Sequence, residues 1–166
     1  FAFSAQAEEL VTVKDFLKKE LSPSPKMSKE VFPLNEAQKK ELASLAPTAQ
    51  DTDFTFFYGK SADGKLERSC LALPQQGKEG PMVIGVCFQD GGLVQSVTIL
   101  SSEEERGKKV SEASWLKQFK GKKVSDAFQL GQDVDGVTGA TWSSKSVAET
   151  LRKASYAYRT FIGVKK

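Results

Sequence analysis

The spacing of apolar positions changes along this chain, and the changes divide it into elements. From Glu8 to Glu20 the residues Leu10, Val13, Phe16 and Leu17 recur at helical spacing, which predicts a first amphipathic helix. "SPSPKMS" then ends it, since each proline removes a backbone donor and biases the residue before it away from helix. Asn35 is placed to cap a second helix through Leu45, with Ala37, Leu42 and Leu45 apolar and a stop near Pro47. Next the period falls to two. "DFTFFYG", "KLERSCLAL", "MVIGVCFQ" and "LVQSVTIL" are rich in β-branched and aromatic residues, and "KSADG", "PQQGKEGP" and "DGG" divide them. That is the pattern of an antiparallel meander. After Leu100 the chain turns polar at "SSEEERGKK", followed by a short helix around "SEASWLKQF" and a Gly-Lys turn. A last helix is expected from about Ser143 to Phe161, with Val147, Leu151, Ala154, Tyr158 and Ile162 forming one buried stripe. The expected fold class is α+β, an antiparallel twisted sheet packed with helices and closed by a C-terminal amphipathic helix.

At 166 residues the chain is long enough for one domain with a real core, expected over residues 8–166. Its 39% hydrophobic and 27% charged residues are those of a globular protein. A net charge of +3 is too mild for nucleic acid, and Lys108-Lys109 and Lys122-Lys123 are short pairs rather than a basic stripe. No segment approaches the ~20 apolar residues needed to span a bilayer. The start, Phe1 to Ala7, resembles the tail of a secretory signal, an apolar run with Ala5-Gln6-Ala7 before Glu8. An expression remnant or a disordered N-terminus is the alternative. The signal reading places the protein outside the cytoplasm, in the periplasm or the extracellular space.

One absence narrows the chemistry: the chain has no histidine. Ser-His-Asp hydrolysis, His-ligated zinc and c-type haem attachment are therefore excluded. A redox role must rest on an organic cofactor or on the two cysteines. Cys70 and Cys87 lie in strand-like runs joined by a turn-rich segment. A hairpin pivoting between Lys78 and Glu79 sets these two opposite each other, close enough to be bridged in a non-hydrogen-bonded pair. A disulfide suits an exported protein, with two free buried thiols as the alternative. A dithiol redox centre fits less well, because such centres favour CxxC spacing.

"DVDGVTGATWSSKS", Asp133 to Ser146, lies where a tight loop enters the last helix. Gly139 permits backbone angles that other residues resist, and Ala140 leaves room beside its neighbour. Thr141, Ser143 and Ser144 offer hydroxyls, and the first helical turn offers unpaired N–H groups, which together suit a phosphate. Ser143 or Ser144 is also of the type that caps a helix. Capping accounts for one hydroxyl. It does not require Thr-Gly-Ala-Thr upstream, nor the acid before it.

"DGVTGATWSS", from Asp135 to Ser144, resembles the flavinylation motif D-G-x-[ST]-G-A-[ST]-x-S-S of FMN-binding domains. That family includes flavin subunits of Rnf and sodium-pumping NADH:quinone reductase complexes, NosR-like proteins and extracellular electron-transfer proteins. "GPMVIGVCFQDGGLVQSVTIL" resembles the family's central hairpin, and the Glu and Gly that follow it fall on Glu104 and Gly107. "WLKQFKGKKVSD" resembles the W-x-x-Q-F-x-G-K segment of NosR-like members. The chain departs from the pattern of the complex-bound members at "EERGKK", where those members carry E-T-P-G-L-G.

The resemblance implies FMN joined through its phosphate to the hydroxyl of Thr141 by a separate flavin transferase that recognises the motif, Asp135 included. Gly136, Gly139 and Ala140 then belong to the loop, and Thr138 and Ser143 hold the phosphate region by hydrogen bonds, with Ser144 beside them. Glu104 either approaches the isoalloxazine, braces the neighbouring loop, or is one of a solvated acidic run. Trp142 shields or stacks on the flavin, while Trp115 belongs to the core. The implied function is an exported electron carrier between redox partner proteins, membrane-bound ones included, rather than an enzyme. A flavin-dependent reductase of a small extracellular acceptor and a cofactor-free binding module on the same fold are the alternatives.

Overall fold

The computed structural model describes residues 8–104 and 108–163. The expected signal remnant, Phe1 to Ala7, and the motif position Gly107 lie outside the described residues. Six antiparallel strands form one sheet: β1 (Glu8–Glu9), β2 (Lys26–Pro33), β3 (Asp53–Lys60), β4 (Leu66–Gln76), β5 (Pro81–Gln89) and β6 (Leu93–Ser102), in the order β1-β6-β5-β4-β3-β2. The helices are α1 (Val13–Leu21), α2 (Glu36–Leu45), α3 (Ala113–Leu116) and α4 (Thr141–Ala157), with short 3₁₀ turns on both sides of α3. This is the expected α+β architecture, and β3 to β6 are the four strands of the meander.

Alternation along the strands explains the two layers. From β5, Met82, Ile84, Val86 and Phe88 enter the larger core with Leu71 and Leu73 of β4 and Val147, Leu151 and Ala154 of α4. The opposite face carries a smaller cluster, in which Phe16 and Leu21 of α1 cover Cys70, Cys87 and Leu100. Gly85 is required here because a Cβ would stand 2.5 Å from the Phe16 ring. α4 lies over β4 and β5 and against α2, which carries its N-terminal end toward the β4–β5 turn.

The β4–β5 register pairs Arg68 with Gln89, Cys70 with Cys87 and Gln76 with Pro81. Cys70 and Cys87 are joined by a disulfide, with their Cα atoms 4.1 Å apart. Breaking it by reduction is expected to cost roughly 3 kcal/mol, the value for releasing a closed loop of about 15 residues. Urea unfolding with and without a thiol reductant measures this, and an unchanged midpoint would contradict it.

Three elements differ from expectation. The first helix begins at Val13, where Thr12 caps it by accepting from the Asp15 N–H, and not at Glu8. Glu8 and Glu9 pair with β6 instead, and the N–H groups of Leu10 and Val11 donate to the Leu100 carbonyl. Leu10 and Val13 are consequently exposed. Second, the segment after "SPSP" is not merely a helix break, because Lys26 to Pro33 pairs residue by residue with β3. As an edge strand it carries charged and polar residues on a largely exposed backbone, so the apolar alternation that announces a strand is missing. Only Phe32 is partly buried, stacked on Phe161 with ring centroids 4.6 Å apart. Third, the last helix begins at Thr141 and gives way to a π turn over Tyr158–Ile162. Asn35 does cap α2, in a reciprocal pair with Gln38.

Candidate flavin site

The loop before α4 is held at three points. Asp133 accepts from the N–H groups of Phe128 (2.9 Å) and Gln129 (2.6 Å). Phe128 needs this support, being the one described non-glycine residue at positive φ (48°). Farther on, the Asp135 N–H donates to Gln118 Oε1 (2.8 Å), while its carbonyl accepts from Trp115 Nε1 (2.8 Å) and Gln118 Nε2 (3.1 Å). At the helix junction Ser144 Oγ accepts from the Val137 N–H (3.0 Å) and donates to the Ala140 carbonyl (2.8 Å).

Burial of Asp133 pushes its carboxyl pKa up. The N–H groups of Gln129 and Phe128, with Lys122 nearby, more than offset that and hold it below the usual carboxylate range. The folded value is depressed. The turn's stabilisation by Asp133 is therefore present above the unfolded carboxyl's pKa and lost as pH falls through the folded one. By NMR the Phe128 and Gln129 amide resonances should shift only below about pH 4, the ordinary aspartate range, and Asp133→Asn should abolish the titration. A midpoint above that range would contradict the assignment.

Neither Ser143 nor Ser144 caps α4. Ala140 occupies the cap position, and no side chain caps the helix. Ser143 and Ser144 lie inside the first turn and are buried. Ser144 instead ties the loop to the helix from within. The N–H groups of Thr141, Trp142 and Ser143 therefore have no acceptor among the described residues. Gly139, at φ 81°, turns the chain into the helix.

These groups border a cavity of about 350 Å³, within the range of small-molecule sites. Gly139, Ala140, Thr141, Trp142 and Ser143 form one wall, with Lys145 one turn farther along. Lys78 and Glu79 of the β4–β5 turn form another, and Glu104 completes it. Thr141 is exposed, and Trp142 is 55% exposed at the rim. Glu104 is not part of a solvated run. It is buried, and its Oε1 accepts from the Glu79 N–H (3.3 Å). Gly77 makes room for it, since a Cβ there would lie 2.1 Å from that oxygen.

Of the residues singled out in the sequence, Thr141, Gly139, Ala140, Trp142, Ser143 and Glu104 meet at this cavity. Asp135, Gly136, Thr138 and Ser144 do not line it. Asp135 and Thr138 are exposed on the loop, and Gly136 packs closely on Leu130. Trp115 is only partly buried, its ring edge-on to Phe119 and its N–H on Asp135. Lys78, Lys145 and Gln118 were missed. Helical spacing from Thr141 could have pointed to Lys145, four residues on. The other two reach the loop and cavity only through tertiary packing.

Residues 77–155 match the model of the FMN-binding domain family. The chain carries an FMN-binding domain. It runs from Gly77, under the Glu104 carboxylate, into α4, and contains the whole cavity wall. In fold the chain is similar to the crystal structure of NqrC from Shewanella oneidensis, with TM-score 0.59 and 18% identity over 92% of this chain and 88% of that one. It is likewise similar to the corresponding component of the Na(+)-translocating NADH-quinone reductase from Parabacteroides distasonis, with TM-score 0.60 and 20% identity over 94% and 87%. No curated protein matches the chain. The cavity of the FMN-binding domain fits that cofactor chemically. Three unpaired helix N–H groups and two lysines suit a phosphate, and an exposed indole suits an aromatic ring. Among the described residues no helix is long and apolar enough to cross a membrane.

Proposed function

We propose that this protein is an exported electron-transfer flavoprotein whose FMN is joined by a phosphoester bond to Thr141 Oγ1, placed there by a flavin transferase. The observation that carries the reading is an exposed threonine on the first residue of a long helix, beside N–H groups that nothing in the fold uses. Those N–H groups, with Lys78 and Lys145, would hold the phosphate, and Trp142 would cover part of the ring. Thr138 and Ser143 are the neighbouring hydroxyl residues. Bound FMN supplies reversible one- and two-electron transfer. The chain's own residues then need only bind and orient, which agrees with the absence of histidine.

Outside the cytoplasm a tether prevents loss of the cofactor by diffusion. The disulfide and the signal-like start support a periplasmic or extracellular location. The similar solved chains are named for a NADH-quinone reductase, which supports redox proteins, membrane-bound ones included, as partners. Co-expression with a flavin transferase in an exporting host tests the reading. The intact mass should rise by FMN less one water and the protein should be yellow. A mass unchanged under that condition would overturn it.

A further inference from the structure

Asp135 is held by its backbone alone. Gln118 clamps it from both sides, Oε1 taking its N–H at 2.8 Å and Nε2 reaching its carbonyl at 3.1 Å. Trp115 Nε1 adds a second bond to that carbonyl at 2.8 Å. The clamp is itself anchored, because the Trp115 ring lies edge-on to the fully buried Phe119 and Gln118 Nε2 also reaches the Trp115 carbonyl (3.2 Å). None of these bonds uses the Asp135 carboxylate, and any residue type at 135 could make them. Two positions earlier, Asp133 spends its carboxylate on two backbone N–H groups. The Asp135 carboxylate is exposed and engages no described residue. On its other side the loop is fixed again, at Val137 and Ala140, by Ser144. The fold thus sets the distance from the Asp135 carboxylate to the Thr141 hydroxyl and uses neither group itself.

We infer that Trp115 and Gln118 are positioning residues that present Asp135, at a fixed offset from Thr141, as the docking surface for the flavin transferase, so that this enzyme reads a folded surface rather than a linear segment. The inference rests on Thr141 as the attachment site. The chemistry requires an activated donor, since joining FMN to an alcohol directly would expel water in water. A flavin dinucleotide meets this need. Thr141 Oγ1 forms a bond to the flavin-side phosphorus, the anhydride P–O bond breaks, a nucleoside monophosphate departs, and the hydroxyl proton passes to solvent. No electron changes hands. A loop already fixed in its bound shape loses little freedom on docking, so releasing the clamp weakens recognition and leaves the transfer step alone.

Purified protein lacking flavin, treated with the transferase and a flavin dinucleotide, provides the test, with mass gain followed against protein concentration. Gln118→Ala should raise KM for the protein roughly tenfold with kcat unchanged, the worth of one to two hydrogen bonds. Trp115→Phe, which keeps the ring and removes one donor, should raise it about threefold. Placed in an Asp135→Ala background, neither substitution should have further effect, since the clamp acts through that carboxylate. Wild-type KM in both variants, or an undiminished effect in the Asp135→Ala background, would overturn the inference. Failure of the attachment reading looks different: wild-type protein gains no mass, or Thr141→Val still gains it.

Discussion

Thr141→Val protein is expected to fold normally and to carry no flavin at all. Valine keeps the β-branched shape and replaces the hydroxyl by a methyl group, so the nucleophile is lost while the volume is preserved. Thr141 is exposed on the first residue of α4 and makes no hydrogen bond within the described structure, so nothing in the fold depends on its oxygen. Co-expressed with the transferase, the variant should keep its unmodified mass and remain colourless, with an unchanged thermal midpoint. Thr141→Ser, which retains an alcohol, should still be modified. Mass gain in the valine variant would move the attachment to another hydroxyl, with Thr138 and Ser143 the nearest candidates.

The largest stability effect is expected at Asp51. Lys153, on the third turn of α4 after Thr141, is 2% exposed at its side chain and pairs with Asp51, itself 4% exposed, at 2.8 Å. The same ammonium donates to the Pro74 carbonyl at 2.7 Å, tying α4 to the end of β4. Asp51→Ala would leave a buried cation with a carbonyl for its only described partner. Breaking one side of such a pair costs about 3–5 kcal/mol. Replacing both members is a different matter, since an apolar pair neither needs hydration nor leaves a charge behind. Asp51→Ala combined with Lys153→Met should therefore recover most of the loss. Urea unfolding of the oxidised protein measures both. An Asp51→Ala cost below about 1 kcal/mol, the scale of an exposed pair, would mean that water reaches this ion pair.

Both effects concern α4, and together they show how the site depends on the fold. Thr141 stands at the start of a helix fastened three turns later to the sheet, and the β4–β5 turn rises beside it. The cavity is the gap between that helix end and that turn, with Glu104 bracing the turn through the Glu79 N–H. A change that loosened Glu104 would move Lys78 and Glu79 away from the attachment residue without touching the motif.

Local pattern was sufficient for much of this protein. Alternating runs between turn residues mark β3 to β6 because half of each strand faces a core, and the short turn between β4 and β5 leaves one register, with Cys70 opposite Cys87. Asn35 followed by Gln38 marks the start of α2 because both partners of the cap lie within one turn. Thr-Gly-Ala-Thr stands out because the loop chemistry is written in consecutive residues. The remainder depends on partners distant in the chain. Strand β2 has no apolar alternation of its own, and β3 makes it a strand. The burial of Glu104 comes from a turn some 25 residues earlier. Helix α4 starts at Thr141 rather than at a capping serine because Ser144 is occupied in pinning the loop, which leaves the first N–H groups unpaired. The clamp on Asp135 comes from α3 and the turn after it. Neighbouring residues could specify the hydroxyl and its helix, because those interactions close within a few residues. The cavity, its lysines and the exposed acid required long-range packing, because each is made by surfaces that meet only once the sheet and helices have docked.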